Sequence, residues 1–358
     1  MDYREEKEYV GHTSQLFKIM KVKMEEGKAK GAELLDVMNS SGLQFDINIS
    51  RGMDIPYLNY KGNNIGFISP CGVVAPEYFD DKELGFLKSF TAGFLTTCGL
   101  KTIGSPSVYE GQAYGLHGNI SNTPASNFSY QFVEKENGSV YLDISGCVED
   151  AVIFGDKLSL RRNLRCYYKE KKITISDRVT NEGYKKARHM ILYHFNIGYP
   201  VLSPDSEIYI PSLKAVPRDE HAGTGIHKWM TAEKADPGYQ EMCYYHTLAP
   251  DKDNHATAAI FNPVINTGIA IEMDLSTLDH FVQWKMMGSK DYVMGFEPAN
   301  STIDGIGDAE NNGKMKYLDA LEAVEYHLSF SILDSREEFE AIKQKQQGKD
   351  DLSWQQKN

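Results

Sequence analysis

Residues 130–146 read Y-Q-F-V-E-K-E-N-G-S-V-Y-L-D-I-S-G, and this stretch gives the clearest indication of the fold. Apolar and polar residues alternate on both sides of Asn137-Gly138, as they do in strands that bury one face. Asn-Gly is a preferred dipeptide for the tight turn of a hairpin, because both residues readily adopt positive φ. The stretch therefore predicts two antiparallel strands joined by a short turn.

Short alternating segments of the same kind continue through residues 34–68, 157–196 and 242–333, separated by Gly, Asn and Pro. Only residues 335–347 have a helical pattern, with Ser335 as the expected N-cap and lysines near the end. Many short strands with almost no helix predict an all-β protein. We expect one large antiparallel β-sandwich with a short C-terminal helix.

No low-complexity linker or short-period repeat divides the chain of 358 residues. We therefore predict a polar N-terminal leader at residues 1–31, a single β-sandwich domain at residues 32–333, and a C-terminal helix and tail at residues 334–358. A connection of little regular pattern runs from residue 198 to about residue 237.

The composition narrows the class of partner. The formal net charge is −12, whereas proteins that bind nucleic acid usually carry a basic stripe. We find neither an apolar run long enough to cross a membrane nor a secretory signal. The five cysteines are scattered and never in C-x-x-C spacing, which favours buried thiols in a reducing compartment over disulfides or a zinc cluster. We expect a cytoplasmic monomer or homodimer without nucleic-acid or membrane partners.

A loop suited to chemistry lies at residues 114–125, Y-G-L-H-G-N-I-S-N-T-P-A. Gly115 and Gly118 permit unusual backbone conformations or the close approach of a ligand. Asn119 and Asn122 can hydrogen-bond nearby backbone and hold an irregular loop in one shape. His117 is then a titratable side chain on a stiff loop, and the alternative is a turn in which this histidine only packs.

Two further residues stand at strand ends. His194 ends the apolar segment I-L-Y-H and is followed by Asn196, Gly198 and Pro200, which places it at the rim of a sandwich. Glu297 follows the apolar segment Y-V-M-G-F and precedes a proline, where an exposed strand end is the simplest interpretation. Burying this acid without partners would be costly.

Two pairs of polar residues are further candidates for contact with a ligand. Period two places Gln283 and Lys285 on the strand face opposite Trp284, so the three cannot share one pocket, and we favour Gln283 and Lys285 as the inward pair. Arg51 and Asp54 interrupt the strands in I-S-R-G-M-D-I, either as a structural turn or as a ligand clamp.

Together these segments resemble the aldose 1-epimerase (galactose mutarotase) superfamily, most closely its little-characterised bacterial branch. Residues 115–125 resemble the loop of the family's first histidine. Residues 175–183, I-S-D-R-V-T-N-E-G, resemble the strand and turn before the second histidine. Residues 193–198 and 295–300 resemble the second-histidine and carboxylate segments. The order and spacing agree from about residue 32 to residue 333.

Two features depart from the family pattern. Mutarotases of known activity have an extra residue between the second histidine and the Phe-Asn pair, whereas here His194 runs directly into Phe195-Asn196. The family's aspartate ligand also has no clear counterpart, because Asp219 and Asp236 both lie in the poorly patterned connection.

The resemblance implies a galactose mutarotase-like supersandwich that interconverts the α and β anomers of a free sugar or sugar derivative. It implies Glu297 as the base, protonated His194 as the acid, and His117 as a hydrogen-bonding partner of the ring-side oxygens. The chemistry requires no metal and no cofactor, in keeping with the lack of a Walker loop. The expected substrate-binding residues are Arg51, Asp54, Asn122, Asn196, Gln283 and Lys285.

Three alternatives stay open. A carbohydrate-binding or sensing protein would keep the sandwich and the cleft without turnover. An epimerase for phosphorylated sugars would need an arginine cluster, but alternation places Arg161 and Arg165 on the face opposite Arg162. A polysaccharide lyase is less compatible with the acidic chain, because such enzymes usually present basic clefts to acidic polymers.

Overall fold

Antiparallel strands make up most of the computed structural model, which describes residues 2–136 and 138–346. In chain order, the first twelve strands are β1 (Lys18–Lys23), β2 (Glu33–Met38), β3 (Leu43–Asn48), β4 (Leu58–Tyr60), β5 (Asn63–Asn64), β6 (Phe67–Ile68), β7 (Ala92–Gly93), β8 (Leu95–Leu100), β9 (Ser107–Tyr109), β10 (Gln112–Tyr114), β11 (Ser126–Glu134) and β12 (Val140–Ala151). The others are β13 (Lys157–Tyr167), β14 (Lys172–Asn181), β15 (Ala187–Ile197), β16 (Glu207–Tyr209), β17 (Ser212–Pro217), β18 (Met242–Leu248), β19 (His255–Asn262), β20 (Thr267–Asp274), β21 (His280–Met287), β22 (Tyr292–Ala299), β23 (Lys316–Leu318) and β24 (Ala323–Leu333).

The helices are short. They are α1 (Tyr3–Glu6), α2 (Glu220–Thr224), α3 (Ile306–Asn311) and α4 (Arg336–Gln346). Within the described ranges, no helix is long and apolar enough to cross a membrane.

Two large sheets and one smaller sheet organise the strands. The eight-stranded sheet has the order β11-β12-β13-β14-β24-β20-β19-β16. The seven-stranded sheet has the order β17-β18-β21-β22-β15-β23, with β8 also paired to β15. The five-stranded sheet runs from β1 to β5 in sequence order. The all-β antiparallel prediction is therefore confirmed.

The core lies between the two large sheets, where apolar side chains from every second position meet. On β15, Tyr193 and Phe195 point into this core, and the rings of Phe195 and Phe94 both contact Phe330 of β24. The next residue along β15, His194, consequently points away from the core. This alternation carries His194 to the outer face of the seven-stranded sheet.

The predicted hairpin is present as the pair β11 and β12, with Glu134 opposite Val140. Asn137, on which the turn prediction partly rested, lies outside the described residues. The predicted C-terminal helix is present as α4, and the hydroxyl of Ser335 accepts a hydrogen bond from the amide of Glu338 at 3.2 Å, as expected of an N-cap. Residues 347–358, including the last residue of the predicted helix, lie outside the described part of the chain.

The N-terminal leader packs onto the domain. Strand β1 pairs with β2 along its whole length. The ring of Tyr3 lies 5.5 Å from that of Phe132 and 5.0 Å from that of Tyr168, measured between centroids. Strand β1 is therefore the edge strand of the five-stranded sheet, and Tyr3 packs against aromatic residues of the eight-stranded sheet and its loops.

Candidate active site

His194 and Glu297 lie side by side on the outer face of the seven-stranded sheet. Strands β15 and β22 are antiparallel neighbours, and Phe195 is paired with Phe296 in their register. Both of these rings point into the core, so the preceding residue of β15 and the following residue of β22 meet on the opposite face. His194 Nε2 lies 3.3 Å from Glu297 Oε1, and both side chains are almost completely buried.

His117 reaches the same place from a loop. His117 has a φ of 59°, in the left-handed region, and the following Gly118 also has a positive φ. Glycine is required at position 118, because a Cβ there would lie 2.4 Å from the carbonyl oxygen of Gly99. The amide of His117 donates to the Gly104 carbonyl at 3.0 Å, and the amide of Gly104 donates to His117 Nδ1 at 3.2 Å. Because Nδ1 is an acceptor, the neutral ring carries its proton on Nε2. The rings of His117 and His194 are 5.6 Å apart.

These three side chains line one cavity of about 380 Å³, within the usual size range of small-molecule sites. Much of its wall is apolar, and the apolar side chains are those of Leu84, Phe86, Leu87, Phe90, Pro106, Leu116, Trp284 and Ile303. The charged residues on the wall, besides Glu297, are Arg218 and Glu241. Sequence reasoning thus identified three residues that the fold brings together from distant segments.

Burial dominates the electrostatics of the pair. It raises the pKa of Glu297 well above its usual range, with Glu241 adding to the shift and Arg218 opposing it. Burial also lowers the pKa of His194 well below its usual range, and nearby His117 lowers it further. Both directions favour a neutral carboxyl beside a neutral imidazole. Burial followed by the charge of Arg218 lowers the pKa of His117 to about 4.

Two buried polar side chains of the cavity have unsatisfied atoms. Within the described ranges, Glu297 Oε1 and His194 Nδ1 are buried and have no hydrogen-bond partner. Buried polar atoms are normally paired, so two orphans in one cavity indicate positions for the hydroxyl groups of a ligand. The arrangement can accept one proton and donate one proton to a bound molecule.

Three residues of the wall were missed or misjudged from the sequence. Trp284 points into the cavity, with its ring 5.3 Å from that of His194 and its Nε1 donating to Glu241 at 2.7 Å. Arg218 follows β17 in the connection that had no regular pattern. Neither Arg218 nor Glu241 belongs to a motif, so only the packing of their segments reveals them.

Arg51 and Asn122 do not line the cavity and are corrected to structural residues. Arg51 is buried, and it donates to the backbone carbonyls of Ser121 at 3.1 Å and Ser89 at 2.7 Å and to the side chain of Asn122. Such a saturated guanidinium has little left for a ligand. Arg51 of the motif I-S-R-G therefore links the loops that contain Ser89 and Ser121.

Asp54 and Asn196 also have other partners. Asp54 accepts hydrogen bonds from the amide and hydroxyl of Thr97 and pairs with Arg162 at 3.0 Å in the interior. Asn196 donates to the backbone carbonyls of Ala92 and His194. Neither side chain is part of the cavity wall. We therefore correct Asp54 to a structural residue, whereas a substrate-binding role of Asn196, whose buried Oδ1 has no hydrogen-bond partner among the described residues, stays a prediction.

Gln283 and Lys285 face the opposite side of the sheet from the cavity. They lie on the strand face opposite Trp284, as period two predicts, but it is Trp284 that lines the cavity. Lys285 is fully buried and pairs with Glu233 at 2.6 Å, and Gln283 donates to the carbonyl of Trp229 at 2.7 Å. The prediction that they contact the ligand is therefore corrected; they anchor the connection between β17 and β18.

The candidates for the aspartate ligand lie elsewhere. Asp219 caps α2 by accepting from the amide of Ala222 at 2.8 Å, and Asp236 accepts from the amide of Gly238 at 2.8 Å. Neither lines the cavity. Across residues 2–136 and 138–346, no group of three or more His, Cys, Asp and Glu side chains is arranged to hold a metal ion.

Comparison with known proteins gives the same fold. A family model described as a domain of unknown function, DUF4432, matches residues 29–332. A crystal structure from Klebsiella pneumoniae, provisionally described as an aldose 1-epimerase, superimposes with a TM-score of 0.89 at 25% identity over 95% of this chain and 91% of that chain. No curated protein matches the sequence.

More distant structures share the fold alone. A galactose mutarotase-like protein from Clostridium acetobutylicum has a TM-score of 0.61 at 15% identity, over 88% of this chain and 98% of that chain. A galactose 1-epimerase from Lactobacillus acidophilus has a TM-score of 0.56 at 12% identity, over 89% of this chain and 100% of that chain. The fold is thus that of the galactose mutarotase-like proteins.

Proposed function

Because the chain belongs to the DUF4432 family and has a galactose mutarotase-like fold, we propose that it is an isomerase of the aldose 1-epimerase type. It acts on a free sugar or sugar derivative and interconverts the α and β anomers. The observation that carries the proposal is the buried pair of His194 and Glu297, 3.3 Å apart in a cavity of about 380 Å³.

Ring opening requires one proton acceptor and one proton donor at two oxygens of the same sugar ring. Glu297, as a carboxylate, takes the proton from the anomeric hydroxyl, and the carbon–oxygen bond at that position becomes a carbonyl. The bond from the anomeric carbon to the ring oxygen breaks, and protonated His194 delivers a proton to that oxygen. Rotation of the aldehyde and closure by the reverse transfers give the other anomer, and both residues recover their starting states.

The number of protons on His194 and Glu297 together does not change during ring opening. A carboxylate beside an imidazolium and a carboxyl beside an imidazole carry the same number of protons and the same net charge. Burial favours the second form in the empty site, and the first half-reaction produces that form. The pair therefore passes between its two states without exchanging a proton with solvent.

His117 binds the ring-side oxygens through Nε2–H, because its Nδ1 is occupied by the amide of Gly104. Its low pKa of about 4 keeps it neutral at physiological pH, so it acts as a hydrogen-bond donor and not as a second acid. The Trp284 ring supplies an apolar wall on which the carbon-bound hydrogens of a sugar can pack.

A sensing protein without turnover is the second candidate, favoured by the neutral state of the empty pair. A phosphorylated substrate has less support. Arg162 is fully buried against Asp177, and Arg165 pairs with Asp143 on the eight-stranded sheet. The cluster of arginines that a phosphate would need is therefore not on the cavity wall.

The test follows the equilibration of fresh α-anomers by polarimetry or NMR across a panel of free sugars, with Glu297→Gln and His194→Asn. We expect at least one sugar to equilibrate faster than in buffer, and each variant to lose about 10²–10⁴-fold in kcat/KM. Failure of every sugar with the wild-type protein would contradict turnover, and tight sugar binding in that case would favour the sensor.

The chain supplies a matched control for these substitutions. His327 Nε2 and Glu325 Oε2 are 3.8 Å apart on β24, but both side chains are about half exposed and do not line the cavity. We expect Glu325→Gln and His327→Asn to keep the wild-type rate. Wild-type activity in Glu297→Gln would remove this residue from the mechanism.

A further inference from the structure

Arg218 is a cation of the cavity wall that neither the sequence motifs nor the proposed mechanism uses. It leaves the end of β17, and its amide donates to the carbonyl of Cys243 at 3.0 Å, which fixes the start of the side chain. The side chain is about three-quarters buried. It lies near enough to Glu297 and His117 to affect the ionisation of both.

Two side-chain oxygens of the protein hold the guanidinium, and the thiol of Cys243, which is also on the cavity wall, lies beside it. Nε donates to Asp304 Oδ1 at 2.8 Å, and Nη2 donates to the hydroxyl of Ser105 at 2.6 Å. The other oxygen of Asp304 accepts from the hydroxyl of Tyr245. In the described ranges, Nη1 donates to no carboxylate or carbonyl oxygen. A planar group fixed at two of its nitrogens presents the third in one direction, which is how arginine binds oxygen atoms selectively.

Asp304 and Ser105, which hold Arg218, lie next to the residues that hold His117. Gly104, whose amide and carbonyl both bond His117, forms an isolated bridge with Asp304. Gly104 permits this approach, because a Cβ there would lie 1.9 Å from the carbonyl oxygen of Ile303. The segments that position His117 therefore also position Arg218.

Arg51 differs from Arg218 in the partners of its guanidinium. All three nitrogens of the Arg51 guanidinium donate to protein oxygens away from the cavity. Arg218 lines the cavity, and among the described residues only two of its three guanidinium nitrogens donate to protein oxygens. Of these two arginines, Arg218 is the one available to a ligand.

We propose that Arg218 is a further catalytic residue, which donates from its guanidinium to a sugar oxygen and stabilises the negative charge shared between that oxygen and Glu297 as the ring opens. This inference rests on the proposed function. Preorganised cations aimed at developing charge are among the strongest contributors to catalysis in sites that exclude water. Asp304 and Ser105 are then positioning residues, which act through Arg218.

The test compares Arg218→Met with Arg188→Met. Arg188 is a matched control: its side chain is 27% exposed against 25% for Arg218, and it is also held at two nitrogens, by Glu310 at 2.6 Å and Glu110 at 3.0 Å. It does not belong to the cavity wall. We expect Arg218→Met to lose about 10²–10³-fold in kcat/KM, and Arg188→Met to keep the wild-type value.

The pH profile separates an electrostatic role from a structural one. The positive charge of Arg218 lowers the pKa of Glu297, so its removal raises that pKa and moves the acid limb of kcat/KM to higher pH. Arg218→Lys keeps the positive charge but loses the planar guanidinium with its several N–H donors. We therefore expect it to keep the acid limb of the wild type and to be faster than Arg218→Met. An Arg218→Met variant with wild-type rate and profile would overturn the proposal while leaving the proposed function intact.

A second readout does not depend on turnover. Arg218 lowers the pKa of His117, so we expect the NMR titration of His117 to move to higher pH in Arg218→Met and to stay unchanged in Arg188→Met. If no sugar equilibrates with the wild-type protein, the proposed function fails, and this titration alone then decides whether Arg218 directs its charge into the cavity. An unchanged titration overturns that placement as well.

Discussion

Gly295 lies on β22 beside the acid–base pair, and adding one methyl group there tests the geometry of the site. A Cβ at this position would lie 2.6 Å from Glu297 Oε1, 3.0 Å from Trp284 Cβ and 3.3 Å from His194 Cε1. Ordinary contact begins at 3.4 Å. The carboxylate oxygen must therefore retreat by about 0.8 Å, the difference between the first distance and ordinary contact.

We expect Gly295→Ala to lose about 10–100-fold in kcat/KM, because a misplacement of about 1 Å costs on the order of 10²-fold in a positioned reaction. That loss corresponds to about 1.4–2.7 kcal/mol of transition-state stabilisation. The free energy of unfolding should fall by only about 1 kcal/mol, at the lower end of overpacking costs, because the closest atom is the end of a side chain.

Gly268 on β20 provides the opposite case. A Cβ there would lie 2.4 Å from the carbonyl oxygen of Ile260 and 2.9 Å from Phe261 Cα, both backbone atoms remote from the cavity wall. Gly268→Ala should therefore lose about 1–3 kcal/mol of stability and keep its kcat/KM. Anomer equilibration and urea denaturation measure the two quantities. A folded Gly295→Ala variant with wild-type kcat/KM would refute the placement of Glu297 in the mechanism.

Two further predictions concern stability. Asp177→Asn should cost about 3–5 kcal/mol in urea denaturation, because fully buried Arg162 loses the carboxylate that it contacts at 2.7 Å; a loss below about 1 kcal/mol would contradict this. Glu297→Gln should become increasingly more stable than the wild type as pH rises above about 4.3, since the raised pKa of Glu297 means that wild-type stability is lost as pH rises towards the folded-state pKa. A stability difference that stays constant between about pH 4 and about pH 8 would show that burial of the carboxyl is not its cause.

The local patterns of the sequence were sufficient for the secondary structure. Alternation on both sides of residues 137 and 138 predicted β11 and β12, and the N-cap at Ser335 predicted α4. Strand alternation is a property of neighbouring residues, and it can be recognised without knowing what the strand packs against. The short strands and helices of residues 198–237 escaped prediction, because their conformation depends on contacts with distant strands such as those of Lys285 and Gln283.

The sequence also identified His117, His194 and Glu297 as one group, through loop chemistry and a family resemblance. It failed for Arg51 and Asp54, whose polar groups are satisfied inside the protein by segments far away in the chain. A residue type reveals what a side chain can bond, but the partner is set by the fold.

On strand β21, the local sequence determined which side chains share a face, and the packing of the sheets determined which face is buried. Period two by itself determined that Trp284 and its two neighbours point to opposite faces of the sheet. Only the tertiary structure decided that the tryptophan face lines the cavity, because the burial of Phe281 and Met287 in the main core fixes which side of β21 is inward. Alternation is local and symmetric between the two faces, and the packing of a second sheet on one face removes that symmetry.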